Sequence, residues 1–228
     1  MLLALAGCGG VKSADNPNLI AGKVAFVAKC GACHTLARAE TKGVVGPDLD
    51  ESFRAALAEG EQRNTIRGVV EYQVRYPNPE GVMPKDLLGG STLRDVAAYV
   101  AAVAAKPGKD TGLLATAVAP AGSGKPAEEK NGKLQIAASP TGQLAYVTNK
   151  ATASAGAVTI AMPNMSGVTH DLAIQEGTGA SGPVLGHTSF ISKGNTSVTV
   201  NLKPGKYIFF CQVPGHRAAG MEGVLTVK

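Results

Sequence analysis

Cys211-Gln-Val-Pro-Gly-His216-Arg-Ala-Ala-Gly-Met221 puts a thiol, an imidazole and a thioether on one short run near the end of a 228-residue chain. Gly215 and Gly220 let the backbone of that run turn tightly. The flanking segments 206–211 and 223–227 read as strands, so the donors sit on a loop between two of them. A distant histidine, His170, opens an earlier predicted strand. One thiolate, two imidazoles and a weak axial thioether hold a mononuclear copper ion in both of its oxidation states. Cys211, His170, His216 and Met221 are the expected copper ligands.

Outward from this loop the pattern stays β. Runs at 134–137, 145–148, 157–161, 170–174, 197–202, 206–211 and 223–227 are short and bounded by Gly, Pro, Asn or Ser. Such spacing over residues 131–228 predicts a β-sandwich domain. Residues 108–130 shift to Gly, Ala, Pro, Ser and charge and read as a flexible linker. A coil of roughly 22 residues spans on the order of 25 Å. Residues 17–107 read as a helical domain. Leu19, Ile20, Val24 and Val27 recur at helical spacing, a short helix covers 51–59, and Ile66, Val69, Val70 and Val74 mark another. Leu93, Val96, Val100 and Val103 form one stripe of a last helix, with Ser91-Thr92 as its expected cap.

The helical domain carries its own signature, Cys30-Gly-Ala-Cys33-His34, the pattern for covalent haem attachment. Cys30 and Cys33 would add across the haem vinyl groups, and His34 would then lie under the iron. A zinc site would need two further ligands, which this half lacks, and a thioredoxin-like dithiol would need a β-α-β context. Met83 is the sole Met between His34 and the linker, so a methionine sixth ligand must be Met83. Met/His ligation raises the haem potential and closes the iron to substrates.

The residues around this motif widen the reading. Gly22-x-x-x-Phe26 precedes it, Gly46-Pro47-Asp48-Leu49 and Val82-Met83-Pro84 follow, and a helix carries Tyr99. Together they resemble class I c-type cytochromes. That resemblance implies an all-α fold with crossing terminal helices around Gly22, Phe26 and Tyr99, and a Pro47 carbonyl that bonds His34. The segment from about Lys133 to Lys228 resembles the cupredoxins, and its Cys-x4-His-x4-Met spacing looks most like the rusticyanin and auracyanin group. This implies an all-β Greek-key sandwich holding type 1 copper, with His216 as the ligand through which electrons exchange. Ala218, Ala219 and Gly220 would give it a small apolar docking surface. Many cupredoxins have Asn after the first histidine ligand, where this chain has Asp171. His187, in a loop setting, does not match a ligand position, and Met162 and Met165 read as packing or rim residues.

Charge and cysteine use narrow the function further. The formal charge of +5 is too mild for nucleic-acid binding, and no Lys/Arg cluster with interleaved aromatics appears. From residue 131 onward seven Lys/Arg face three acids, a net +4 that would steer the protein towards an acidic partner or an anionic membrane face. Four cysteines leave no even set for a disulfide framework once the two sites are assigned. Leu5-Ala-Gly-Cys8 resembles a bacterial lipoprotein box, with Cys8 as the lipid-bearing residue. It lacks a basic n-region and a full apolar run, and an accidental match is the alternative. No stretch of 18 apolar residues predicts a membrane span.

A binuclear copper centre would need a second loop cysteine, and a copper nitrite reductase would need more histidines than His34, His170, His187 and His216. The expectation is an electron carrier, not an enzyme. It would sit outside the cytoplasm, in a bacterial periplasm or on the outer face of the cell membrane. It would relay single electrons between haem c and copper, and to redox protein donors and acceptors of a respiratory chain. The alternative is a redox enzyme or sensor with an open haem position, which requires Met83 off the iron.

Overall fold

The computed structural model describes residues 16–179 and 181–228, so Cys8 lies outside the described residues. The amino-terminal half is built from helices α1 (Leu19–Lys29), α2 (Leu49–Ala58), α3 (Arg63–Arg75) and α4 (Gly90–Val103). A two-stranded hairpin, β1 (Thr35–Leu36) and β2 (Thr41–Lys42), follows α1. Asn18 starts α1 by accepting the Ile20 and Ala21 amides at 3.0 Å each, and Asp48 does the same for α2. Helices α1 and α4 cross so closely that a side chain at Gly22 would collide with the Asp95 carbonyl. Phe26 and Tyr99 pack beside that crossing with ring centroids 6.3 Å apart.

The stripe Leu93, Val96, Val100 and Val103 is buried throughout, as its period predicts. One local expectation is corrected. Helix α4 begins at Gly90 after Gly89, with no side-chain cap, instead of being capped by Ser91-Thr92. On α3, Ile66 and Val74 enter the core but Val69 is exposed, on the same side as Tyr72 and Tyr76.

The carboxyl-terminal half is a two-sheet sandwich. Its nine strands are β3 (Ala127–Glu128), β4 (Lys133–Gln135), β5 (Lys150–Ala153), β6 (Gly156–Asn164), β7 (Ala173–Glu176), β8 (Val184–His187), β9 (Gly194–Leu202), β10 (Gly205–Phe210) and β11 (Glu222–Val227). One sheet runs β3-β5-β11-β10-β7-β8 and the other β4-β6-β9. Alternate residues of β6 (Val158, Ile160, Met162) meet Leu134, Leu172, Ile174, Phe209 and Leu225 in one buried core. The run 145–148 is not a strand and makes isolated bridges, Ala138 with Tyr146 and Ser123 with Thr148. Strands β5 and β8 were not expected from the sequence.

Residues 108–130, expected as a flexible coil, are instead bonded to both halves. Asp110 accepts Tyr99 Oη at 2.8 Å and pairs with Lys23 at 3.1 Å, and Lys23 also donates to the Leu114 carbonyl at 2.8 Å. Leu114, in the single helical turn α5 (Leu113–Thr116), and Val118 pack on the helical core. From Ala119 onward the segment belongs to the sandwich. Gln143 donates to the Ala119 carbonyl, Gly124 donates to Val147, and β3 lies parallel to β5. Among the described residues no helix is long and apolar enough to cross a membrane.

Candidate metal centre

The metal-ligand residues of the carboxyl-terminal half converge at one end of the sandwich. Cys211 directly follows β10, and the loop to β11 is two tight turns. In them the His216 amide bonds to Val213, the Ala219 amide to Gly215 and the Gly220 amide to Arg217. Gly215 and Gly220 take positive φ of 83° and 108°, the left-handed conformation that glycine adopts without steric cost. The loop is closed where the Cys211 amide reaches the Met221 carbonyl at 3.1 Å. Arg217 clamps it from outside, with its guanidinium 4.1 Å from the Phe210 ring centroid and bonds to Glu222 and Gln175. His170 arrives from a separate segment, tied by a two-bond bridge to Ile191, whose carbonyl also accepts from Asn164.

Three donor atoms meet in a small triangle. His170 Nδ1 and His216 Nδ1 are 3.1 Å apart, and Cys211 Sγ lies 3.5 Å from His216 Nδ1 and 3.9 Å from His170 Nδ1. A point equidistant from atoms so spaced lies about 2.0 Å from each, close to metal–nitrogen distances of about 2.0 Å and metal–sulfur distances of about 2.3 Å. The residues therefore fit a metal ion. Burial, reinforced by His216, lowers the His170 pKa to about 4, and burial also lowers that of His216. Both rings are neutral ligands at neutral pH. Burial pushes the Cys211 thiol up to about 11, so a bound cation is what makes it a thiolate. His170 is wholly buried and His216 is 9% exposed, so His216 is the ligand that reaches towards the surface. Met221 is fully buried beside them. Among the described residues this is the one cluster of three or more His, Cys or acidic side chains able to hold a metal.

Asp171 braces the site. It is fully buried, and its Oδ1 accepts the Gln212 amide at 2.7 Å, directly after Cys211. Its own backbone carbonyl accepts Tyr146 Oη at 2.6 Å. Burial raises the Asp171 carboxyl above its usual range, and Oδ2 has no partner. His187 is exposed at the end of β8, near Phe190, and is not part of the donor triangle. Met162 is core and Met165 is exposed.

In the amino-terminal half the contiguous motif forms one turn. The Cys33 and His34 amides both bond to the Cys30 carbonyl, at 3.0 and 2.9 Å. His34 Nδ1 lies 2.9 Å from the Pro47 carbonyl, which leaves Nε2 as its free donor atom. A Cβ at Gly46 would stand 2.5 Å from the His34 ring, so only glycine fits beneath that imidazole. Burial first, then the neighbouring Cys33, pushes the Cys30 thiol up to about 12. Met83 is half-buried in the non-helical stretch between α3 and α4. Val45, Val69, Tyr72, Tyr76 and Val82 leave large apolar surfaces exposed in this half. Two thiols, an imidazole with its Nδ1 engaged and uncovered apolar walls fit a covalently held, flat apolar prosthetic group.

The sequence profile of the copper binding proteins, plastocyanin/azurin family, matches residues 134–228. That match, the two-sheet fold and the donor triangle make this segment a cupredoxin-type copper domain. Reduced auracyanin from Roseiflexus castenholzii is 26% identical over 44% of this chain and 99% of its own, with a TM-score of 0.39. Auracyanin A from Chloroflexus aurantiacus is 24% identical over 42% of this chain and 98% of its own, TM-score 0.38. For reduced rusticyanin the figures are 23%, 46% and 86%, TM-score 0.37. A search of curated proteins finds no match to the chain.

Proposed function

We propose that this protein is an extracytoplasmic electron carrier with two one-electron centres. They are type 1 copper at His170, Cys211, His216 and Met221, and haem c bound to Cys30 and Cys33 with His34 and Met83 as axial ligands. The observation that carries the copper reading is the triangle of Nδ1, Nδ1 and Sγ with room for one metal ion at its centre. Copper supplies the Cu(I)/Cu(II) couple, and haem the Fe(II)/Fe(III) couple. The chain's own residues do the rest. The closed loop between β10 and β11 holds Cys211 and His216 in place, which limits rearrangement between oxidation states. Neutral imidazoles and a buried thioether keep the donor set compact. His34, fixed by Pro47 and floored by Gly46, is oriented to present Nε2 to an iron. Donors and acceptors would be redox proteins of a respiratory chain, reached from a periplasmic or membrane-surface position, with lipidation at Cys8 as the tether.

The test is anaerobic reductive titration of protein isolated with its cofactors. The expected result is one blue copper–thiolate band and one c-type haem band, each bleaching or shifting with one electron. Carbon monoxide should leave the reduced haem spectrum unchanged and bind after Met83→Ala. Carbon monoxide uptake by the parent protein would favour the open-haem reading and remove Met83 from the iron.

A further inference from the structure

The two halves touch at their chemically active loops. Gly142, in the turn between Ser139 and Ala145, is buried although no strand covers it. What covers it is the end of α1. A Cβ at Gly142 would stand 2.5 Å from the Ala28 carbonyl oxygen, two residues before Cys30. On the copper side, a Cβ at Gly215 would meet Val44 Cγ2 at 3.1 Å, so the residue before His216 lies against the loop that follows His34. Between these contacts Gly31, Thr41 and Lys42 face Gln143, Leu144 and Ala219 across a seam cavity of about 30 Å³.

The connecting segment gives this seam little freedom. Asp110, Leu114 and Val118 are fixed on the helical half, and Ala119 is already bonded to Gln143 of the sandwich. The change of attachment falls between Val118 and Ala119, with no free coil between the anchors. A tether of that kind suits a docked pair and not a swinging one.

We propose that this seam is a fixed internal docking contact, so that the amino-terminal half of the chain is itself the redox partner of the copper loop. The proposal rests on the two-centre reading above. Exchange across the contact oxidises one centre by one electron and reduces the other by one, with no bond or proton moved. An outside partner then has to approach from a face other than the Gly215–Ala219 side.

Two variants probe the seam from opposite sides. Gly142→Leu places a side chain into Ala28, and Val44→Arg puts a charge on the Gly215 contact. Gly177→Leu is the control: Gly177 has φ +80° against +75° at Gly142, but has nothing within 4 Å of its Cβ position. In cofactor-loaded protein the first two should raise amide hydrogen exchange in residues 41–46 and 140–144 at least tenfold. They should also slow concentration-independent exchange between the centres at least tenfold, with both absorption bands intact. Gly177→Leu should change neither quantity. Equal protection in Gly142→Leu and Gly177→Leu would overturn the docking contact. A missing haem or blue band in the parent, with seam protection intact, would instead overturn the two-centre reading.

Discussion

The two candidate centres are assembled in opposite ways. The copper site gathers His170 and the 211–221 loop across the sandwich, and its donor atoms already lie in a metal-sized triangle. The haem motif is contiguous in sequence, yet its half leaves Val45, Val69, Tyr72, Tyr76 and Val82 exposed. One half is preformed by its own core, and on the two-centre reading the other would need its proposed haem to finish covering apolar surface. In a preformed site the fold imposes geometry on the metal, whereas in the helical half the proposed haem would contribute to the fold.

The largest test of this contrast is to remove each cofactor in turn. Cys30→Ser with Cys33→Ser should abolish covalent haem and cause the helical half to lose cooperative thermal unfolding, while the blue band persists. Cys211→Ser should abolish the blue band completely yet leave the sandwich folded, as read by far-UV circular dichroism and melting. If both halves unfold in either variant, or neither does in the first, the contrast is wrong.

An intermediate effect is expected at the junction. Lys23 and Asp110 form a pair with side chains only 6% and 2% exposed, and Tyr99 donates to the same carboxylate. Asp110→Ala leaves Lys23 buried with one carbonyl partner and should cost about 3–5 kcal/mol in denaturant unfolding of the helical half. The smallest expected effect is electronic. A carboxyl near the thiolate stabilises Cu(II) to the extent that it is ionised, so Asp171→Asn should raise the copper potential. By Coulomb's law at an effective dielectric near 20, a unit charge about 4 Å away is worth about 4 kcal/mol. A fully ionised carboxylate therefore sets a ceiling on the order of 200 mV, and partial ionisation lowers it. The amide can still accept the Gln212 N–H bond, so the loop should keep its geometry. A fall in potential in cyclic voltammetry would show that Asp171 acts on the copper by another route.

How much was legible follows the same contrast. Both motifs were readable because their donors are close in sequence, and His170 because the chain has few histidines. The α4 stripe was readable because its burial is periodic. Strand β8 was hidden by Gly186, whose bare backbone lets Val198 and Val200 approach. The run 145–148 looked like a strand, but Tyr146 turns inward to pack on Phe209 and bond the Asp171 carbonyl. The 108–130 segment has a linker's composition, and its order comes from Lys23, Tyr99 and Gln143, none of which is near it in sequence. Propensity and spacing report local structure, and these contacts are long-range.

The most direct test of the central claim is a one-electron pulse delivered to the oxidised, cofactor-loaded protein while the haem and blue-copper bands are followed together. The account predicts that the electron redistributes between the two bands at a rate independent of protein concentration. A single responding band, or a rate that scales with concentration, would contradict it.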